Sequence, residues 1–187
     1  MKKLLIIAAV ALAAVCTQAA QFSWSALQIK DGYNSEKEGY TAANISGVTA
    51  YLIMSAELAQ ADFIAGAKDK TYTAANIGTY ASSSKTVASG NVTTTAFTYA
   101  TNVAVGGSES AYFVVFNSDG SAVYTSAEKS ATVLETGASA FSFGTQATGS
   151  ATLGTGTAGS WTAVPEPTSG LLLLLGMAGL ALKRKRA

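Results

Sequence analysis

An uninterrupted apolar run, Ala111-Tyr-Phe-Val-Val-Phe116, is followed at once by Asn117-Ser-Asp-Gly120 and then by Ser121-Ala-Val-Tyr-Thr125. A short run rich in β-branched and aromatic side chains, bounded by turn-forming residues, reads as a strand rather than a helix. With no polar residue to face water, it suits a buried central strand. The Asn-Ser-Asp-Gly segment supplies the turn residues of a hairpin, with Ser121–Thr125 as its second arm. A chain built around such a hairpin must surround it with further β-structure.

Further strand signals are present on both sides. Phe22–Ile29, Val48–Met54, Val92–Tyr99, Ala131–Leu134 and Ala138–Phe143 are short, β-prone and separated by Gly, Ser, Asn or Asp. One stretch reads as helical, Ala56–Ala65, with Ser55 as its cap and Gly66 as its stop. The expectation is an all-β fold, a β-sandwich of jelly-roll or immunoglobulin-like outline with at most one short helix. The hexapeptide Tyr-Thr-Ala-Ala-Asn-Ile occurs at residues 40–45 and again at 72–77, but the flanking residues differ. That favours local coincidence or a short duplication over a repeat architecture.

Charge and residue type exclude several functions. Only 12% of the residues are charged, against about a quarter in average soluble proteins. Lys2, Lys3, Lys183, Arg184, Lys185 and Arg186 supply half of the 12 basic residues from the two ends. The central region then holds six lysines against ten carboxylates, Glu166 being set aside with the tail. Such a region has no basic patch for nucleic acid. There is no histidine, and the single cysteine, Cys16, precedes the central region. Disulfides, thiolate metal sites, thiol nucleophiles and imidazole bases are therefore absent from the centre.

Catalysis without those groups would need paired carboxylates, a Ser/Lys pair or an oxygen-ligand metal site. The candidate acids are Asp31, Glu36, Glu38, Glu57, Asp62, Asp69, Glu109, Asp119, Glu128 and Glu135. They are scattered beside Gly, Ser and Lys, as solvated loop charges are, so no enzyme, cofactor or metal is expected. Asn117-Ser-Asp119-Gly-Ser121 faintly resembles the start of a calcium loop but lacks the downstream acidic ligand. A hairpin turn accounts for the same residues. Trp24, Tyr33 and Tyr40 could stack on sugar rings, although core packing is the more ordinary use of aromatics.

The two ends read as targeting segments. Residues 1–20 combine Lys2 and Lys3, the apolar run Leu4–Val15 and the small residues Thr17-Gln-Ala-Ala20, as a secretory signal peptide does. Cleavage after Ala19 places Thr17 and Ala19 at the selected positions; cleavage after Ala20 is the alternative. Acylation at Cys16 is disfavoured by bulky Val15. From Gly144 to Thr162 the chain is Gly, Ser, Thr and Ala with few large side chains, which reads as a flexible spacer over 144–163. In the tail, 164–187, Pro165-Glu166-Pro167 lacks two backbone N–H groups and is held extended. An apolar segment follows, Gly170–Leu182 with Leu171 opening its leucine run, and then Lys183, Arg184, Lys185 and Arg186. As a helix it would be roughly 20 Å long against a hydrocarbon core of about 30 Å. That makes a poor permanent anchor and an adequate temporary one, with the basic cluster on the cytoplasmic side.

This order of Pro-Glu-Pro, short apolar helix and basic cluster resembles the PEP-CTERM sorting signal of Gram-negative bacteria. Together with the leader, it resembles the small PEP-CTERM proteins of Verrucomicrobia-like bacteria. The resemblance implies recognition by an exosortase, removal of the helix, and delivery to the cell surface or an extracellular polysaccharide matrix. The expected partners are signal peptidase, exosortase, the membrane through the C-terminal helix, and extracellular polysaccharide. For the domain at 21–143 the expected role is structural or adhesive. A carbohydrate-binding module is the first alternative, and a glycan hydrolase with paired carboxylates the second.

Overall fold

The computed structural model describes residues 17–30, 43–146 and 160–164. Its strands in chain order are β1 (Gln18–Leu27), β2 (Thr49–Met54), β3 (Ser83–Thr86), β4 (Val92–Thr93), β5 (Phe97–Thr101), β6 (Ser108–Phe116), β7 (Ala122–Thr125), β8 (Lys129–Thr132), β9 (Ala138–Thr145) and β10 (Ser160–Ala163). Helix α1 (Gln60–Lys68) and one 3₁₀ turn (Ile77–Thr79) lie between β2 and β3.

Two sheets result. In the first, β1 is central: β5 and then β4 pair antiparallel along one edge, and β9 pairs parallel along the other, from Gln21↔Ala138 to Leu27↔Thr145. In the second, β6 is central. β2 pairs along one edge, while β8 and β7 pair successively along the opposite edge. β3 extends the sheet beyond β2, and β10 extends it beyond β7.

Alternation sets the layers. β1 sends Ala20, Phe22, Trp24 and Ala26 inward, where they meet Leu52, Met54, Phe113, Val115, Tyr124 and Trp161 of the second sheet. Aromatic rings tie this interior together, with Trp24 stacked on Phe113 (5.8 Å between centroids) and Phe143 edge-on to Phe113 (5.0 Å). On the reverse face of the second sheet, Ile53, Tyr112, Val114, Phe116 and Val123 meet Leu58, Ile77, and Phe63, Ile64 and Ala67 of α1. β6 is therefore covered on both faces, and Ala111–Phe116 is buried throughout. That is the physical reason the run needs no alternation.

The all-β expectation stands, with one short helix, and the two sheets face one another across one interior. Several boundaries differ from the sequence reading. The helix starts at Gln60 rather than Ala56, follows Ala59 with no side-chain cap, and contains Gly66 instead of stopping at it. It ends at Lys68, where Lys70 adopts a positive φ of 62°. The strand expected over Val92–Tyr99 is two strands, because the ladder with β1 breaks at Thr94: its N–H still donates to Trp24 C=O (3.0 Å), but its hydroxyl replaces its carbonyl as acceptor. Its hydroxyl accepts from Trp24 N–H (3.0 Å) and donates to Trp24 C=O (3.2 Å). The spacer assigned to 144–163 is shorter than its composition implied: Gly144 and Thr145 close β9, and residues 160–163 form β10. β1 begins at Gln18, so its first residues lie in the stretch assigned to the leader.

Of the two hexapeptide copies, Tyr40–Ala42 lie outside the described residues. Ile45 packs in the inter-sheet core and Ile77 under α1, so the described parts occupy unlike settings.

Candidate functional site

Any hydrolytic chemistry in a chain without histidine would rest on the carboxylates. Asp31, Glu36 and Glu38 lie outside the described residues. Glu57 accepts a hydrogen bond from the Tyr99 hydroxyl (3.1 Å), and Glu128 accepts one from Ser55 (2.6 Å). Glu109 is buried on β6 and accepts from the Thr101 hydroxyl on β5. Tyr99 is pushed up to about 12, first by burial and then by the negative charge and hydrogen bond of Glu57, with Glu109 adding to it. These acids thus serve as acceptors joining neighbouring strands and loops. Asp119 accepts from both the N–H (2.9 Å) and the hydroxyl (2.6 Å) of Ser121, which holds its carboxyl below the usual range. Asn117 N–H takes the Ala122 C=O (3.0 Å), closing the hairpin between β6 and β7. The oxygen groups of the faint calcium loop are therefore committed to a turn. Among the described residues, no group of three or more acids is placed to hold a metal.

The aromatic candidates for sugar stacking divide. Trp24 is 1% exposed, and its indole N–H donates to the Ser83 hydroxyl (3.1 Å). It is a core residue. Tyr33 and Tyr40 lie outside the described residues. An aromatic that the sequence reading did not single out is Tyr80, which is 39% exposed and set edge-on to Tyr72 (5.2 Å), itself stacked on Phe63. Its position just after the 3₁₀ turn and its Gly-Thr-Tyr context gave no signal of exposure. Two shallow depressions of about 190 and 170 Å³ meet at Val48, Asn117 and Ser118. Asn44 and Ser46 line the first, and Tyr51 and Phe116 the second.

At the N-terminal end, Ala19 and Ala20 are strand residues, paired with Ala100 and Tyr99 of β5. Ala20 faces the core and is 3% exposed. Thr17 donates to the Asn102 side chain (3.2 Å), and the Gln18 amide donates to Val103 C=O (2.5 Å). The residues around both expected cleavage points are thus built into the first sheet.

At the C-terminal end, β10 pairs with β7 from Ser160↔Thr125 to Ala163↔Ala122. Trp161 is fully buried, packs on Tyr124 (5.7 Å) and donates its indole N–H to Lys30 C=O (3.2 Å). Val164 is 8% exposed, and its N–H donates to Ser121 C=O (2.7 Å). Pro165, Glu166, Pro167, the segment Gly170–Leu182 with Leu171, and Lys183, Arg184, Lys185 and Arg186 lie outside the described residues. Among the described residues, no helix is long and apolar enough to cross a membrane.

Residues 163–186 match the PEP-CTERM protein-sorting motif. The match suggests an exported protein processed at the membrane by exosortase, and it carries no information on lineage. No curated protein and no solved structure matches the chain.

Proposed function

We propose that this is an exported protein of a Gram-negative bacterial surface or extracellular matrix, sorted by exosortase, whose sandwich has a non-enzymatic structural or adhesive role. The observation that carries this reading is the sorting motif at 163–186, directly behind a strand that belongs to the fold. The lack of histidine, and of cysteine beyond Cys16, supports the non-enzymatic part. So does the engagement of Glu57, Glu109, Asp119 and Glu128 as hydrogen-bond acceptors within the fold. A signal peptide at 1–20 delivers the chain, and Gly170–Leu182 holds it in the membrane until processing. Two facing sheets, with the first strand paired to a late one, support a jelly-roll or immunoglobulin-like outline.

Mass spectrometry of the surface-bound product from a host carrying exosortase tests the sorting. The product is expected to lack Leu171–Leu182, and replacing Pro165-Glu166-Pro167 by alanines should leave the chain uncut. An intact tail on the surface-bound wild-type protein would falsify the proposal.

A carbohydrate-binding role on the same export route is favoured by one observation, the exposed ring of Tyr80 beside Tyr72. Retention on polysaccharides of the host matrix that is lost in Tyr80→Ala supports it. Equal retention of both forms removes it.

A further inference from the structure

The sorting motif begins where the second sheet ends, and the junction carries information on where the chain is cut. A protease grips its substrate as an extended segment, through main-chain groups that are free to pair with the enzyme. β10 is an edge strand of the second sheet, and on its inner side residues 160–163 pair with β7 while Val164 N–H is bonded to Ser121 C=O. Three of the four side chains from Trp161 to Val164 are committed as well: Trp161 lies in the inter-sheet core, Thr162 and Val164 are buried on the face that α1 covers, and Ala163 is exposed. Hydrolysis within this segment would require stripping β10 from the sheet and drawing a fully buried tryptophan into water, one of the costlier local losses a core can suffer. β7 begins at Ala122, and before it the chain turns through Asn117–Gly120 back into β6, so β7 offers no further strand along which the ladder could continue past Ser121.

We infer that β10 is a fold-borne limit to processing: the sorting enzyme cuts on the C-terminal side of Pro165, and the mature protein keeps Trp161–Val164 in its sheet. In that cut a peptide C–N bond breaks. The acyl carbon passes to water or an acceptor amine, and the leaving nitrogen carries the proton away with the tail. The inference rests on the exosortase reading for the enzyme, but the limit itself is a property of the fold.

Two arms keep the limit and the enzyme apart. In the first, the full chain is co-expressed with exosortase and the C-terminus of the product is read by intact mass and peptide mapping. A terminus at Pro165 or later is expected. A product that ends before Pro165 overturns the inference while leaving the sorting reading intact, and a chain left uncut overturns the sorting reading. In the second arm the purified full chain is treated with a non-specific protease under native conditions. Trimming is expected to halt at or beyond Val164, and rapid clipping between Ser160 and Val164 overturns the inference whatever the first arm shows.

Two variants sharpen the second arm. Trp161→Ala should raise clipping within 160–164 roughly a hundredfold or more, because cleavage follows the population of the opened strand. Should that variant fail to fold, Thr162→Val works in the opposite direction. The Thr162 hydroxyl is buried with no hydrogen-bond partner among the described residues. Replacing it by a methyl group of like shape should lower clipping about tenfold. Clipping unchanged in Thr162→Val, with wild-type already sensitive, would place the limit elsewhere.

Discussion

Gly66 sets two effects of known sign against each other. It is a glycine inside α1, and replacing it with alanine should stabilise the helix by about 1 kcal/mol through backbone entropy alone. Yet a Cβ built at this position would lie 2.4 and 2.5 Å from Cε2 and Cδ2 of Tyr72. Ordinary carbon contacts begin near 3.5 Å, so the ring must retreat by roughly 1 Å. It is not free to do so, being stacked on Phe63 (5.7 Å) and met edge-on by Tyr80 (5.2 Å). Overpacking of this kind costs about 1–3 kcal/mol, and disturbing the stacked pair falls within that range. The steric effect wins: Gly66→Ala should destabilise by about 1 kcal/mol, a fall of roughly 2–4 °C in Tm for a domain of this size. In a Tyr72→Ala background the obstruction is gone, and the same substitution should stabilise by about 1 kcal/mol. Urea unfolding followed by tryptophan fluorescence measures all four corners of the cycle, since Trp24 and Trp161 are both buried. A Gly66→Ala protein more stable than wild type, or a cycle without this reversal of sign, refutes the reasoning.

Stability should decline at alkaline pH. Burial pushes Tyr124 up to about 12, and Tyr99 reaches a similar value, against an ordinary 10.0. A phenol raised in the folded state contributes its stability in full below pH 10 and loses it as pH climbs through 12. Urea midpoints should therefore fall over that interval, and a flat profile up to pH 12 would contradict the assignment. Gly90→Ala should destabilise by about 2 kcal/mol in thermal melts. The position has φ +79° and a Cβ there would sit 3.0 Å from Ile29 C=O. A full chain without its tail that starts at Thr17 should be more stable, by about 2 kcal/mol in urea unfolding, than one starting at Gln21. The shorter form loses Ala20 from the core and the bonds of Thr17 and Gln18.

Much of the fold was legible because the strong signals are local. Ala111–Phe116 and its turn appear as expected in β6 and β7, since a fully apolar run followed by Asn-Ser-Asp-Gly has few other uses. Val48–Met54 and Ala138–Phe143 lie close to β2 and β9 for the same reason. What escaped is what tertiary pairing decides. β3 reads Ser-Ser-Lys-Thr and has no apolar pattern; it is a strand because β2 offers it an edge. β10 sits behind a Gly/Thr-rich stretch, and a single tryptophan is the sign that it belongs to the core. Helix α1 begins later than its cap signal implied because Tyr112 donates to Leu58 C=O (3.0 Å) across the second core. That bond fixes the preceding turn and delays the first helical residue. In the candidate site, the buried state of Trp24 follows from packing that no local pattern encodes, whereas Asp119 bonds to Ser121 two residues on, as its turn pattern implied. The sorting motif was legible in full, because a peptide signal is read by its enzyme as sequence.

The parallel pairing of β1 with β9 bears on how the protein reaches its destination. The central strand of the first sheet emerges early, yet the partner at its second edge is more than half the chain away, at Gln21↔Ala138. Contacts between positions so distant in the chain form late and slowly. For a chain exported unfolded, as the proposed function has it, the first sheet would lack this edge until Ala138–Thr145 had followed, so the topology favours completing the fold after passage rather than before it.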